Sequence, residues 1–265
     1  MRLGFAKYEG LGNDFIVVDA SDPRAVDAEL ARRLCDRHFG IGGDGVLLVL
    51  PPRSNGSRAT MLVLNADGSQ PEMCGNGVRC VALHLARRDG ATGASYVVDT
   101  GAGPLLCEVD RNGDGGFVRT SMGKGRREGE HRAEHAGKNL IFTRISLGNP
   151  HAVAFDAELS LEAIDELGPR ISAALPGGAN VEFAKLEGPR AFELVVWERG
   201  VGRTLACGTG AAATVVAAAL SGRAPFGEPV NVRLPGGVLE INVSRDDLEV
   251  HQRGPARLVF TGELE

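Results

Sequence analysis

Two short motifs carry the residues most able to do chemistry, Cys74-Gly-Asn-Gly77 and Cys207-Gly-Thr-Gly210, and each runs into an apolar, alanine- and valine-rich stretch that reads as a helix. A thiolate is the reactive form of cysteine, and a helix N-terminus favours it because unpaired backbone N–H groups converge there. The glycines allow a tight backbone and leave no side chain in the way of a ligand. The same N–H groups can receive a carboxylate. A single motif of this kind reads equally well as a buried cysteine in a glycine turn. Two copies, half a chain apart, predict a pair of acid–base groups on opposite walls of one cleft. One thiolate removes a proton from one face of a carbon, the opposite thiol delivers a proton to the other face, and in reverse the roles exchange. The α-proton of an amino acid is a very weak acid, so helix N–H donors in a dry cleft would also hold the carboxylate as it becomes enediolate-like.

The other three thiols read as packing. Cys80 falls inside the first helix-like stretch, Cys35 in an Ala/Leu-rich helix and Cys107 in a strand. Five cysteines is an odd number and no two have the spacing of metal ligands, which argues against a disulfide framework or a zinc site.

The elements that must position the two motifs are themselves repeated. Tyr8-Glu-Gly-Leu-Gly-Asn-Asp-Phe-Ile-Val-Val-Asp19 is echoed by Arg144-Ile-Ser-Leu-Gly-Asn-Pro-His-Ala-Val-Ala-Phe-Asp156. Strand-like Met61–Leu64 and Leu194–Trp197 each precede a turn and a cysteine motif, and Pro104–Val109 corresponds to Val238–Val243. Four matched blocks in one order predict a duplicated fold. Helices are expected over Asp27–His38, Val78–Arg88, Leu161–Ala173 and Ala211–Leu220. Strands are expected at Gly45–Leu50, Thr60–Leu64, Ser95–Asp99, Phe192–Trp197 and Val238–Val243. The fold class is therefore α/β (α+β), with two pseudo-symmetric domains over 1–125 and 126–265, each a sheet wrapped around a central helix, the last strand being free to pack on the first half. Residues 123–139, almost without apolar side chains, read as a solvated connector or excursion.

Composition bounds the partners. With 43% hydrophobic and 24% charged residues the 265-residue chain can bury full cores, and a net charge of -5 without a basic stripe argues against nucleic acid. No apolar run approaches membrane-spanning length, and the amino terminus lacks a charged-then-apolar export signal, so a cytoplasmic location is expected.

The segments Gly10–Phe15, Gly42–Gly45, Asn65–Gly68, Met73–Gly77, Leu147–His151, Asn180–Phe183, Glu198–Gly202, Ala206–Gly210 and Leu234–Gly237 resemble, in order, those of the diaminopimelate epimerase family. The resemblance implies epimerisation of LL- to meso-diaminopimelate with Cys74 and Cys207 as the catalytic pair, no metal or organic cofactor, a small-molecule substrate as partner, and it allows a homodimer. It also implies roles for matching residues. Asn13, Asn65, Asn149, Asn180, Glu198 and Arg199 would bind the polar ends of the substrate. Gly75 with Asn76, and Gly208 with Thr209, would hold the reacting carboxylate. Gly45 would offer only backbone, and His151 and Glu198 would adjust the thiols. Such a set suits a substrate with two amino-acid ends, since Asn donates and accepts, Glu receives ammonium and Arg grips carboxylate.

Competing readings stay beside these. The Asn residues could merely shape Gly-Asn turns, His151 could be a satisfied core histidine, and Arg199 could belong to a surface ion pair. Arg203 and Gln252-Arg253 depart from the family's usual residues, and Arg203 near a cleft entrance would alter recognition of the distal end. A racemase for histidine or proline is the nearest alternative, although proline racemases carry Cys-Gly-His where this chain has Cys74-Gly-Asn76. Phenazine-type isomerases of this fold lack the cysteine pair, and a binding module would not need one. Asn65 and Glu198 stand at matching positions, each nine residues before its cysteine, which would make the two thiols unequal.

Overall fold

A computed structural model describes residues 3–71, 74–156 and 159–264. The elements run β1 (Leu3–Gly10), β2 (Asn13–Asp19), α1 (Ala28–Cys35), β3 (Gly45–Leu50), β4 (Ala59–Asn65), α2 (Gly75–Arg88), β5 (Gly93–Thr100), β6 (Gly103–Asn112), β7 (Gly115–Lys124), β8 (Arg126–His135), β9 (Lys138–Ser146), β10 (Pro150–Phe155), α3 (Leu161–Ala174), β11 (Asn180–Gly188), β12 (Ala191–Glu198), β13 (Gly202–Arg203), α4 (Gly208–Leu220), β14 (Val230–Leu234), β15 (Gly237–Val243) and β16 (Glu249–Leu264). They form two compact units. Unit 1 takes the chain up to Thr120 together with the residues from Arg253 onward, and unit 2 takes Ser121–Gln252.

Unit 1 is a closed barrel with strand order β1-β2-β3-β4-β5-β6-β7-β16, the circle completed by antiparallel pairing of β16 with β1. Two parallel steps, β2 to β3 and β4 to β5, are crossed by α1 and α2, as parallel neighbours require. α2 packs against β1 to β6 and is buried around its circumference, the pattern of a helix inside rather than on a sheet. α1 covers the outside with only Ala31, Leu34 and Cys35. β3 lies between the two helices. Its period of two sends Leu47 and Val49 to the α2 core and Val46, Leu48 and Leu50 to the α1 core, so all six of its residues are buried and it reads as an unbroken apolar run.

Unit 2 repeats this plan internally. Its order is β16-β15-β14-β12-β11-β10-β9-β8, with β10 to β11 and β12 to β14 parallel and crossed by α3 and α4. α4, made of Ala, Val, Thr and Gly apart from its final Leu220, is buried from Gly210 to Ala219, whereas α3 presents Ile164, Leu167 and Ile171 to the outer face of the sheet. The Leu-Gly-Asn blocks are the turns of matching hairpins. Leu11 and Gly12 take φ of 59° and 79° between β1 and β2, and Gly148 takes 89° between β9 and β10. The fold class expected from the repeat is the one observed.

Two expectations fail. Residues 126–135 are not a connector but the strand β8, paired along its length with β9. Its charged side chains alternate with half-buried positions at the end of the strand order, where charge guards a free sheet edge, so the absence of apolar residues marks an edge rather than a loop. The two central helices also begin earlier than their apolar residues suggest, at Gly75 and Gly208, immediately after the cysteines.

Candidate active site

Each cysteine is the N-cap of its central helix, in extended backbone conformation, with φ, ψ of -138°, 109° at Cys74 and -125°, 109° at Cys207. The sequence positions the sulfurs by what it withholds. A Cβ on Gly77 would lie 3.3 Å from Cys74 Sγ and 3.1 Å from Leu47, and one on Gly210 would lie 3.3 Å from Cys207 Sγ and 2.9 Å from a carboxylate oxygen of Glu182. The glycine two residues beyond the first in each motif is thus the seat of the thiol.

In unit 1, Cys74 Sγ accepts from the Gly77 N–H at 3.3 Å. Asn76, buried, donates to Asn13 Oδ1 (3.2 Å) and accepts from the fully buried Arg79 (2.7 Å). Arg79 also donates to the carbonyls of Gly75 (3.4 Å) and Pro255 (3.3 Å). Asn13 donates to Asp44 (2.6 Å), which is clamped by Arg37 (2.8 Å), so the hairpin asparagine and the helix start form one polar assembly. Asn65 closes β4 and donates to Ser69 Oγ (2.9 Å). Gly45 begins β3 opposite Asn65, and a Cβ there would meet the Leu64 carbonyl at 2.8 Å, a backbone contact that cannot give way. Asp67 serves the turn, accepting from Ser69.

In unit 2, Cys207 is 5% exposed and its Sγ lies 3.6 Å from Thr209 Oγ1. Asn149 donates to that hydroxyl (3.3 Å) and accepts from His151 Nε2 (3.0 Å), while His151 Nδ1 meets Glu182 Oε1 at 2.7 Å. Asn149 therefore stands to Thr209 as Asn13 stands to Asn76, and neither is only a turn former. Asn180 accepts from the backbone N–H of Arg199 (2.9 Å), and the exposed Arg199 guanidinium donates to the Gly177 carbonyl (2.5 Å). Glu198 ends β12 and accepts from Thr204 (2.5 Å). Gly208 admits the buried Gln252, whose side-chain oxygen would be 2.8 Å from a Cβ there.

Burial outweighs the helix start at the Cys207 thiol. It pushes the thiol well above the usual range, the Glu198 and Glu182 carboxylates push the same way, and the Thr209 hydroxyl and Gly210 N–H pull down by less. Three other thiols are sealed and raised by burial, Cys35 to about 11, Cys107 to about 12 and Cys80 further still. Arg203, expected to modify recognition, pairs with Asp165 of α3 at 2.6 and 3.0 Å. Arg253 lies over the Phe117 ring at 4.2 Å.

The residues missed in the sequence are Glu182, Asp44 and Arg79. Glu182 carries a legible signal, an acid between Val181 and Phe183 in a strand whose neighbours are all core. Among the described residues no group of three or more His, Cys, Asp or Glu side chains could hold a metal ion, and no helix is long and apolar enough to cross a membrane.

The sequence profile of diaminopimelate epimerases matches residues 5–127 and 143–259. The chain belongs to the diaminopimelate epimerase family. Within that family it is 41% identical over 280 residues to the diaminopimelate epimerase of Microcystis aeruginosa, covering 99% of both chains. It is 42% identical over 284 residues to the chloroplastic diaminopimelate epimerase of Oryza sativa subsp. japonica, covering 98% of this chain and 79% of that one. Solved structures of more distant sequence share the fold. A hydroxyproline epimerase from Agrobacterium vitis superposes with a TM-score of 0.77 at 15% identity, covering 99% of this chain and 92% of that one. A phenazine biosynthesis protein of the PhzF family from Bacillus anthracis gives 0.75 at 15%, covering 100% and 99%. At such identities these two speak for the fold alone.

Proposed function

We propose that the protein interconverts LL- and meso-diaminopimelate by passing the α-proton between Cys74 and Cys207, in the cytoplasm and in the service of lysine and cell-wall peptide synthesis. The observation that carries the reading is the equivalence of the two thiols, both N-caps of the buried central helix in a duplicated topology. Membership of the family supports the substrate. The mechanism requires each sulfur to address one face of the α-carbon. The thiolate on one side accepts the proton, the thiol on the other donates its own, and each group ends in the state from which the reverse reaction begins. Both transfers come from the chain's own thiols, so the scheme contains no pyridoxal step.

The raised Cys207 thiol fits a resting donor. Where Cys207 is the base, it is the ammonium group that the substrate brings near Glu198, offsetting that carboxylate's push on the thiol, that must favour its ionisation. Helix-start N–H groups at Gly75–Asn76 and Gly208–Thr209 hold the reacting carboxylate as charge develops on it. Asn13, Asn65, Asn149, Asn180, Glu198 and Arg199 bind the remaining polar groups. Incubating the protein separately with LL-diaminopimelate, L-histidine and L-proline, and resolving stereoisomers by chiral chromatography, tests the assignment. Conversion of the first alone is expected. Racemisation of either single-ended amino acid at a comparable rate would replace diaminopimelate as the substrate.

A further inference from the structure

His151 and Glu182 are buried, 1% and 0% exposed, beneath the start of α4. The other copy of the fold shows that the architecture does not demand them. Asn149 and His151 match Asn13 and Phe15 on the hairpin strands, and the parallel registers His151↔Asn180 and Phe15↔Gly45 make Glu182 the counterpart of Leu47. The glycine of each cysteine motif verifies this, since Gly77 abuts Leu47 where Gly210 abuts Glu182. One copy thus fills two interior positions with Phe and Leu and the other with His and Glu, at the cost of desolvating both.

The hydrogen bonds give the polar pair a direction. Asn149 donates through Nδ2 to Thr209 and so presents Oδ1 to His151, which requires a proton on Nε2. With its acceptor side taken by Asn149, the Thr209 hydroxyl can aim its own proton at Cys207 Sγ. Every donor in the chain then points toward the sulfur, the arrangement that favours a thiolate. Glu182 faces Nδ1, and its second oxygen has no hydrogen-bond partner among the described residues, as suits a carboxyl group that shares a single proton with the ring.

We propose that Glu182 is a positioning residue for the reaction, keeping Nε2 of His151 protonated and thereby holding Asn149 as donor to Thr209 and Thr209 as donor to Cys207. The inference rests on Cys207 acting as an acid–base group. Glu182 is itself raised, chiefly by burial, and His151 opposes that while Glu198 adds to it. The charged or titratable groups acting on Cys207 are Glu198 from β12 and Glu182 from β11, with His151 on β10 behind the latter.

The test compares Glu182→Leu, Glu182→Gln and Thr209→Val with wild type in the pH dependence of kcat/KM for diaminopimelate. Glu182→Leu removes both the partner of Nδ1 and the carboxyl group whose charge pushes the thiol up. The relay is the larger effect, so in the direction in which Cys207 is the base the acidic limb is expected to move upward by about one pH unit, an about tenfold loss on that limb. Glu182→Gln can donate to Nδ1 as the protonated acid does, and is expected to restore most of the loss. Thr209→Val, which cuts the last link, should move the limb as Glu182→Leu does. A pH-independent loss in Glu182→Leu, or no better activity in the Gln variant than in Leu, would reduce Glu182 to packing and overturn the proposal. Alkylation of Cys207 followed by peptide mass spectrometry, with Cys74 as internal reference, gives a second readout should the Leu variant turn over too slowly. Its pH midpoint should rise at Cys207 alone, and an unchanged midpoint refutes the relay. Cys207→Ser is the control for the underlying reading. If that variant keeps wild-type activity, the acid–base assignment of Cys207 fails, and not the role of Glu182 alone.

Discussion

Gly77→Ala and Gly210→Ala make the same change at the third position of the two central helices, and the structure predicts different outcomes. The gain from replacing a helical glycine, about 0.5–1 kcal/mol, is common to both and cancels in the comparison. At Gly77 the new methyl lies 3.1 Å from Leu47 Cδ2, the end of an aliphatic side chain that can rotate by a few tenths of an ångström. At Gly210 it lies 2.9 Å from Glu182 Oε1, an atom held 2.7 Å from His151 Nδ1, both side chains being fully buried. Relief there must either overpack the core, at about 1–3 kcal/mol, or stretch a buried hydrogen bond of about 0.5–1.5 kcal/mol. Gly210→Ala should therefore be less stable than Gly77→Ala by about 1–2 kcal/mol, which at about 2–4 °C per kcal/mol separates their Tm values by about 2–8 °C. Differential scanning calorimetry of the two variants side by side measures this. Equal Tm values, or a lower one for Gly77→Ala, would refute the claim that a rigid polar pair underlies one helix and a yielding apolar one the other.

Other outcomes follow from the same contacts. Cys74→Ala and Cys207→Ala should each abolish epimerisation in a chiral assay, whereas Cys80→Ala, altering a sealed thiol, should keep most of it. Arg79→Met leaves Asn76 Oδ1 and the carbonyls of Gly75 and Pro255 without that donor, and should lower denaturation free energy by about 2–4 kcal/mol in urea titrations. Asp99 is raised by its desolvation but more strongly lowered by donors from Ser54, Ser57 and Arg53, to about 2 from 3.8. A carboxyl depressed in the folded state contributes stability that is complete above its unfolded pKa and vanishes as pH falls through the folded one. Asp99→Asn should thus be less stable than wild type at neutral pH, with the gap closing between about pH 4 and pH 2.

Much of this molecule is written in its sequence because duplication prints the same signals twice. Leu-Gly-Asn turns, cysteine motifs and apolar central helices recur in order, and each copy corroborates the other. β3 and α4 are buried on all sides, so their runs of apolar residues are unambiguous. What escapes is of two kinds. β8 satisfies its backbone through β9 while showing charge to solvent, and periodicity cannot tell such an edge from a loop. Glu182, Asp44 and Arg79 depend on partners remote in the chain, as in the contact of Arg79 with the Pro255 carbonyl. Arg203 shows the converse, an unusual residue whose explanation is a neighbour, Asp165, on another element. Exposure of the thiols was likewise beyond the motif, because burial outweighs the helix start at Cys207.

The central claim is that two thiols, and not one, handle the proton. Turnover of LL-diaminopimelate in deuterated water, stopped at a few per cent conversion and analysed by NMR, puts it to the most direct test. Two separate groups predict meso product carrying solvent deuterium at the inverted α-carbon while the remaining LL isomer keeps its hydrogen. Product that retains the original hydrogen at that carbon would mean one group carried it across, and would contradict the account.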